Sequence, residues 1–203
     1  MKKILLFAFV CMIALSGFSA SKPLKTIENL KAGIKGETTA SAKYAAFAVK
    51  AREEGKVAIG KLFDAASKAE AIHATNHKKV LTGLGETMGD FKPAFEVKST
   101  AENLQAAIEG ETYEVTTMYP QFLADAKAEN VEKATKSFTW AFDTEKKHAA
   151  FYKKALEAIN AKTENTLASE YAVCPVCGNT YEKATMDDKC AFCHTAKEKF
   201  IMI

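Results

Sequence analysis

Four glutamates stand where a helical chain needs apolar side chains. Periodicity of 3.6 residues predicts four long helices, and Glu37, Glu70, Glu111 and Glu145 each fall on the apolar stripe of a different one. The first stripe reads Leu30, Ile34, Glu37, Ser41, Tyr44, Ala48, and the second Ile59, Leu62, Ala66, Glu70, His73, His77, Val80. The third reads Leu104, Ile108, Glu111, Val115, Met118, Phe122, and the fourth Ala134, Phe138, Ala141, Glu145, His148, Tyr152, Ile159. A carboxylate in such a place is costly unless a cation compensates it. No Lys or Arg occupies a matching inward position, so a metal centre is the simplest resolution.

The histidines sharpen this reading. His73 and His148 each lie three residues after a stripe glutamate, giving Glu70-x-x-His73 and Glu145-x-x-His148. Residues three apart share a helix face, so one carboxylate and one imidazole can reach the same metal cluster. One Glu from each of two helices plus Glu-x-x-His from each of the other two is a di-iron or di-manganese pattern. Glu114, three residues after Glu111, is a candidate seventh ligand or a polar neighbour; its counterpart in the other half of the chain is Ala40. His77 reads as a core or supporting histidine. Tyr44 and Tyr119 are placed either to orient the carboxylates or simply to pack.

The pattern repeats internally. Ala32 to Thr38 (AGIKGET) resembles Ala106 to Thr112 (AAIEGET), and Ala69 to Ala74 resembles Thr144 to Ala149. Two such copies make two helical hairpins rather than a solenoid. The predicted helices run from Thr26 to Glu53, Val57 to Leu81, Ser99 or Thr100 onwards, and Val131 to Ala161. Gly55 ends the first. Ser99 and Glu102 form a capping box at the third, and Pro120 should kink it or remove one hydrogen bond. Gly83, Gly85, Gly89 and Pro93 mark a long crossover over residues 83–99. One long crossover between two hairpins is the ferritin-like connectivity of a four-helix bundle, so the fold class is all-α.

The two ends of the chain differ from this. Lys2 and Lys3 precede an apolar run from Ile4 to Leu15 and small residues at 19–21, as in a secretory signal peptide. The run is too short for a membrane span, which excludes stable insertion. We therefore expect an exported, periplasmic protein, or a cytoplasmic one if this leader does not act. Removing it also removes Cys11 and leaves Cys174, Cys177, Cys190 and Cys193. These form two Cys-x-x-Cys knuckles, a spacing that suits one tetrahedral iron or zinc site better than disulfides. The expected division is a signal peptide at 1–20, a helical metal domain at 21–162, a polar linker at 163–172 and a four-cysteine domain at 173–203. Formal net charge is only +3 with acids and bases interleaved, which argues against nucleic acid as a partner.

Gly36-Glu37, Glu70-x-x-His73, Gly110-Glu111-x-x-Glu114, Met118-Tyr119-Pro120, Glu145-x-x-His148 and the two knuckles together resemble the rubrerythrin family, from about residue 25 to 203. The second knuckle departs from the rubredoxin pattern, with Ala191 for Pro and His194 for Gly. The resemblance implies a di-iron site held by Glu37, Glu70, His73, Glu111, Glu114, Glu145 and His148, with Glu70 and Glu145 bridging. It implies a rubredoxin-like iron on Cys174, Cys177, Cys190 and Cys193, although zinc there stays open. It further implies a peroxidase that reduces hydrogen peroxide to water in oxidative-stress defence. Electrons would come from NAD(P)H through a separate reductase and pass through the thiolate-bound iron, in a homodimer or higher homo-oligomer. Competing readings are a ferroxidase or iron-storage protein, an oxygen-reducing di-iron protein, and a non-enzymatic binding protein with a structural zinc ribbon.

Overall fold

The structure, a computed structural model, describes residues 22–203, so the expected leader and Cys11 lie outside the described residues. Helix α1 (Leu24–Glu53) and helix α2 (Val57–Gly83) form the first hairpin, turning at Gly55, whose φ of +74° is the left-handed conformation glycine adopts freely. Residues 84–99 carry the chain across without regular structure. Helices α3 (Thr100–Tyr113) and α4 (Tyr119–Ala128), joined by a π-helical segment Glu114–Met118, run as one rod against α5 (Glu132–Ala161). Among the described residues no helix is long and apolar enough to cross a membrane.

The helix ends follow the capping rules. Ser99 accepts from the Glu102 backbone N–H, and Glu102 accepts from the Ser99 N–H at 3.1 Å, so the capping box forms. Helix α1 begins after Pro23 without a side-chain cap of its own. Glu129, at the α4–α5 turn, supplies the missing acceptor to the N–H groups of Lys25 and Thr26 at 3.1 and 2.8 Å.

Pro120 changes more than one hydrogen bond. It has no N–H to continue the helical ladder, and the turn before it opens into the π segment. That extra residue shifts the register of the stripe beyond Glu111. Tyr119 is fully buried, while Val115 and Met118, expected inward, are only partly covered. Elsewhere the expected stripes hold, with small slips at Ser41, Val80, Ile108 and Ile159, which are half-buried.

The core is divided along the bundle axis. One apolar cluster contains Tyr44, Phe47, Leu62, Phe63 and Tyr152, and the other Leu30, Ile34, Tyr119, Phe122 and Phe138. The charged residues of the stripes lie between these clusters, so apolar walls close the polar centre at both ends.

Beyond α5 the chain forms a small antiparallel sheet of order β2-β1-β3. Its strands are β1 (Tyr171–Val173), β2 (Thr180–Glu182) and β3 (Ile201–Met202). Strand β1 starts at Tyr171, inside the stretch expected to be linker, because Tyr171 and Val173 pack into the first bundle cluster. The C-terminal module thus rests on the helices. Replacing Ser99 with Ala is expected to lower the unfolding free energy by about 1 kcal/mol in urea denaturation. No change would mean that Glu54, which accepts from the Thr100 N–H at 3.1 Å, caps α3 alone.

Candidate metal centre

Four helices deliver six ionisable side chains to one point. Glu37 comes from α1, Glu70 and His73 from α2, Glu111 from α3, and Glu145 and His148 from α5, and none is more than 2% exposed. They fall into two overlapping sets, Glu37, Glu70, His73, Glu145 and Glu70, Glu111, Glu145, His148, each with one ligand atom per residue, all within 4.8 Å of one another. Glu70 and Glu145 belong to both sets.

The imidazoles aim their Nδ1 atoms into the centre. His73 Nδ1 lies 2.9 Å from Glu70 and 2.9 Å from Glu145, and His148 Nδ1 lies 3.1 and 2.8 Å from the same two residues. Most of these short approaches lack hydrogen-bond alignment. Glu37 Oε2, Glu70 Oε1, both Glu145 oxygens and His148 Nδ1 are buried without a hydrogen-bond partner. Orphaned lone pairs that converge in a dry interior fit a metal pair, and the mixed O and N donors suit iron or manganese.

The electrostatics of these side chains agree with that reading. Burial, reinforced by neighbouring carboxylates, holds Glu37 and Glu111 well above the usual carboxylate range. Burial also opposes the charges of Glu70, His73 and His148, but their mutual attraction outweighs it. It draws Glu70 down to about 2, and the carboxylates of Glu70 and Glu145 raise both histidines to about 10. Glu114 stands apart from the tight sets, half-buried at the first residue of the π segment. Burial, Glu145 and Glu70 raise its pKa, and Lys43 opposes them.

Both tyrosines brace carboxylates, but crosswise. Tyr44 of α1 donates to Glu111 of α3 at 2.7 Å, and Tyr119 of α4 donates to Glu37 of α1. Burial and the facing carboxylates push both phenols well above their ordinary range, so they stay protonated donors. His77 extends the second brace, with Nε2 3.1 Å from the Tyr119 oxygen and Nδ1 2.7 Å from Ser137 Oγ. Burial, then the nearby His73, holds it down at about 3, so it is neutral and lies outside both ligand sets.

The four cysteines also converge. Cys174, Cys177, Cys190 and Cys193 form a third set, with Cys174–Cys193 and Cys177–Cys190 sulfur separations of 3.4 Å. That is far beyond the roughly 2.0 Å of a disulfide. The two knuckles share one turn. Gly178 N–H donates to the Cys174 carbonyl at 3.0 Å and His194 N–H to the Cys190 carbonyl at 2.9 Å, with φ of +83° and +59°. His194 therefore takes the backbone role of the glycine it replaces, and its side chain is exposed.

Sequence reasoning missed how the two metal sites meet. The first knuckle lies against the outer edge of both imidazoles. A Cβ on Gly178 would collide with His73 Nε2. Thr180 Oγ donates to the Gly178 carbonyl at 3.2 Å, so it accepts from His148 Nε2–H at 2.9 Å. In the neutral ring, the form that binds metal, this fixes the tautomer that leaves Nδ1 as a lone pair facing the carboxylates. Gly178 was legible only as a turn residue, and Thr180 carried no sequence signal.

A pH test follows from these shifts. In the metal-free chain His73 and His148 hold protons between their ordinary 6.5 and about 10, and Glu37 and Glu111 hold theirs above the carboxylate range. A folded state that binds more protons than the unfolded chain loses stability as pH rises. Glu70 acts in the opposite sense only between about 2 and its ordinary 4.5, and Lys147, which burial lowers to about 8, offsets one of the two histidines above that pH. The melting temperature of metal-free protein is therefore expected to fall from pH 6.5 towards 10. Anaerobic ferrous iron or Mn(II) should abolish that slope, since binding requires deprotonated ligands. A metal-free melting temperature that rises across this window would contradict the assignment.

Comparison with known proteins agrees with this geometry. The rubrerythrin family model matches residues 28–156. The chain is 37% identical to nigerythrin of Nitratidesulfovibrio vulgaris, over 86% of this chain and 85% of that protein. It is 32% identical to rubrerythrin-2 of Clostridium acetobutylicum, over 88% and 97%. A solved structure of fully reduced, all-ferrous nigerythrin superposes with a TM-score of 0.80 at 35% identity, covering 95% of this chain and 92% of that one. A ferritin-like bundle with converging Glu and His side chains, a four-cysteine cluster beside it and these matches lead to one conclusion: the chain belongs to the rubrerythrin family.

Proposed function

We propose that this chain is a non-haem di-iron peroxidase that reduces hydrogen peroxide to water with electrons relayed through the four-cysteine site. In this reading Glu37, Glu70, His73, Glu111, Glu114, Glu145 and His148 hold two irons, with Glu70 and Glu145 bridging, and Cys174, Cys177, Cys190 and Cys193 hold a third in a rubredoxin-like domain. When bound, the iron pair supplies the two electrons and the Lewis acidity that O–O cleavage needs. The overall reaction takes up two protons and two electrons per peroxide and releases two waters.

The observation that carries the proposal is the contact between the first cysteine knuckle and the imidazoles, Gly178 on His73 and Thr180 on His148. An iron store needs no thiolate centre against its ligands; an electron relay does. The residues divide the remaining work. The apolar clusters exclude water. Tyr44 and Tyr119 hold protons at their hydroxyls beside Glu111 and Glu37. Glu114, outside the tight sets and under the electrostatic influence of Lys43, would approach or leave one metal position in this reading. The electron donor is a separate NAD(P)H-linked reductase, and the leader at 1–20 directs the protein to the periplasm. Recovery of the mature protein only from the cytosolic fraction would sink the export claim.

Stopped-flow spectroscopy tests the relay. Anaerobically reduced protein with about three irons per chain should regain its ferric-thiolate colour promptly after one equivalent of peroxide. Gly178→Ala places a methyl group against His73 and strains a left-handed turn. It should slow that return at least about tenfold while iron content stays constant, a loss of about 1.4 kcal/mol of barrier lowering. Zinc on the cysteines, a response to dioxygen but not peroxide, or iron retained far above three per chain would move the assignment to iron oxidation or storage.

A further inference from the structure

Lys147 precedes the ligand His148 on α5, yet its side chain belongs to the other metal site. Its ammonium donates to Asn179 Oδ1 at 2.7 Å and lies 3.9 Å from the centre of the Tyr181 ring and 5.9 Å from that of Phe192. The partner of this cation is an amide rather than a carboxylate. Lys146, beside it in sequence, instead pairs with Asp143 at the surface.

The amide passes the effect to sulfur. An ammonium only donates, so Asn179 must present its oxygen to Lys147 and its NH2 group to the opposite side. There the amide nitrogen meets the Tyr181 hydroxyl at 2.7 Å and Cys190 Sγ at 3.7 Å. The Tyr181 hydroxyl, accepting from the Ala191 N–H at 2.9 Å, is itself 3.7 Å from Cys190 Sγ. Asn179 is fully buried and Lys147 half-buried, so water screens the chain from ammonium to thiolate only in part.

We propose that Lys147 sets the reduction potential of the four-cysteine iron, through its charge and through the Asn179 amide that it orients towards Cys190. The inference rests on the reading of that site as a redox iron. Four thiolates with ferric iron carry a net charge of −1, and with ferrous iron −2. A cation and hydrogen bonds at sulfur favour the more negative state and so raise the potential. The step is the uptake of one electron from an external donor; no bond breaks and no proton moves. Lys147 is a positioning and charge-supplying residue. It ties the helix that bears His148 to the poise of the centre that feeds it.

The experiment is a spectroelectrochemical titration of the ferric-thiolate absorption in full-length protein reconstituted anaerobically with ferrous iron. At the wild-type midpoint, Lys147→Met is expected to lower the ferrous-to-ferric ratio at least tenfold, about 59 mV for a one-electron couple. Lys147→Arg should stay within threefold of wild type. Lys154→Met, which removes a lysine of the same helix paired to Glu182 at 2.8 Å, should also stay within threefold. If Lys147→Met does not retain iron, Lys147→Gln, which keeps a donor but no charge, is read in its place, and its ratio should also fall at least threefold. A ratio within threefold of wild type for the neutral variant that retains iron overturns the proposal. Zinc on the cysteines as isolated would count against the relay itself, whereas the reconstituted iron still reports on Lys147.

Discussion

Six ionisable side chains buried between two apolar clusters impose the constraint on which the rest of this structure depends. Each ion removed from water costs several kcal/mol after relaxation. Without a metal the cluster is tolerable only with Glu37 and Glu111 protonated and both histidines charged, and several donor atoms still have no hydrogen-bond partner. The two divalent cations that we propose, shared by Glu70 and Glu145, would satisfy both the charge and the lone pairs. The surrounding features serve that arrangement. Aromatic clusters close both ends, the crosswise tyrosines tie each half of the bundle to the carboxylate of the other, and the π segment brings Tyr119 inward to do so.

The C-terminal module is held by the helices that bear the imidazoles. Asn76 of α2 donates to the Val176 carbonyl at 2.8 Å, Lys154 of α5 pairs with Glu182, and Lys147 enters the module itself. Gly178 and Thr180 then reach His73 and His148 from outside. The histidines thus join the two centres, with Nδ1 towards one and Nε2 towards the other. This contact supports the relay that we propose, in which single electrons would enter through thiolate iron and leave in pairs at the dinuclear site.

Much of this is legible in the sequence, for a physical reason. A carboxylate on an apolar stripe breaks periodicity, so Glu37, Glu70, Glu111 and Glu145 stand out along the chain, and the repeat places them in register. The capping box at Ser99 and the crossover are equally local. Features that depend on approach between distant segments are not legible. The tyrosines' hydroxyls have no partners that spacing alone could assign, because pairing across the bundle depends on rotation of the rods. Pro120 announces a disturbance but not the extra residue that exchanges Val115 for Tyr119. The docking of Gly178, Thr180 and Lys147 leaves no periodic trace at all.

The central claim is that the buried cluster holds two irons and the cysteines a third. Crystals of anaerobically purified protein, measured on both sides of the iron absorption edge, test it most directly. The account expects two anomalous peaks between Glu70 and Glu145, about 3.5–4 Å apart, and one peak amid Cys174, Cys177, Cys190 and Cys193. A bundle centre with no metal or a single metal, its carboxylates protonated, would contradict it.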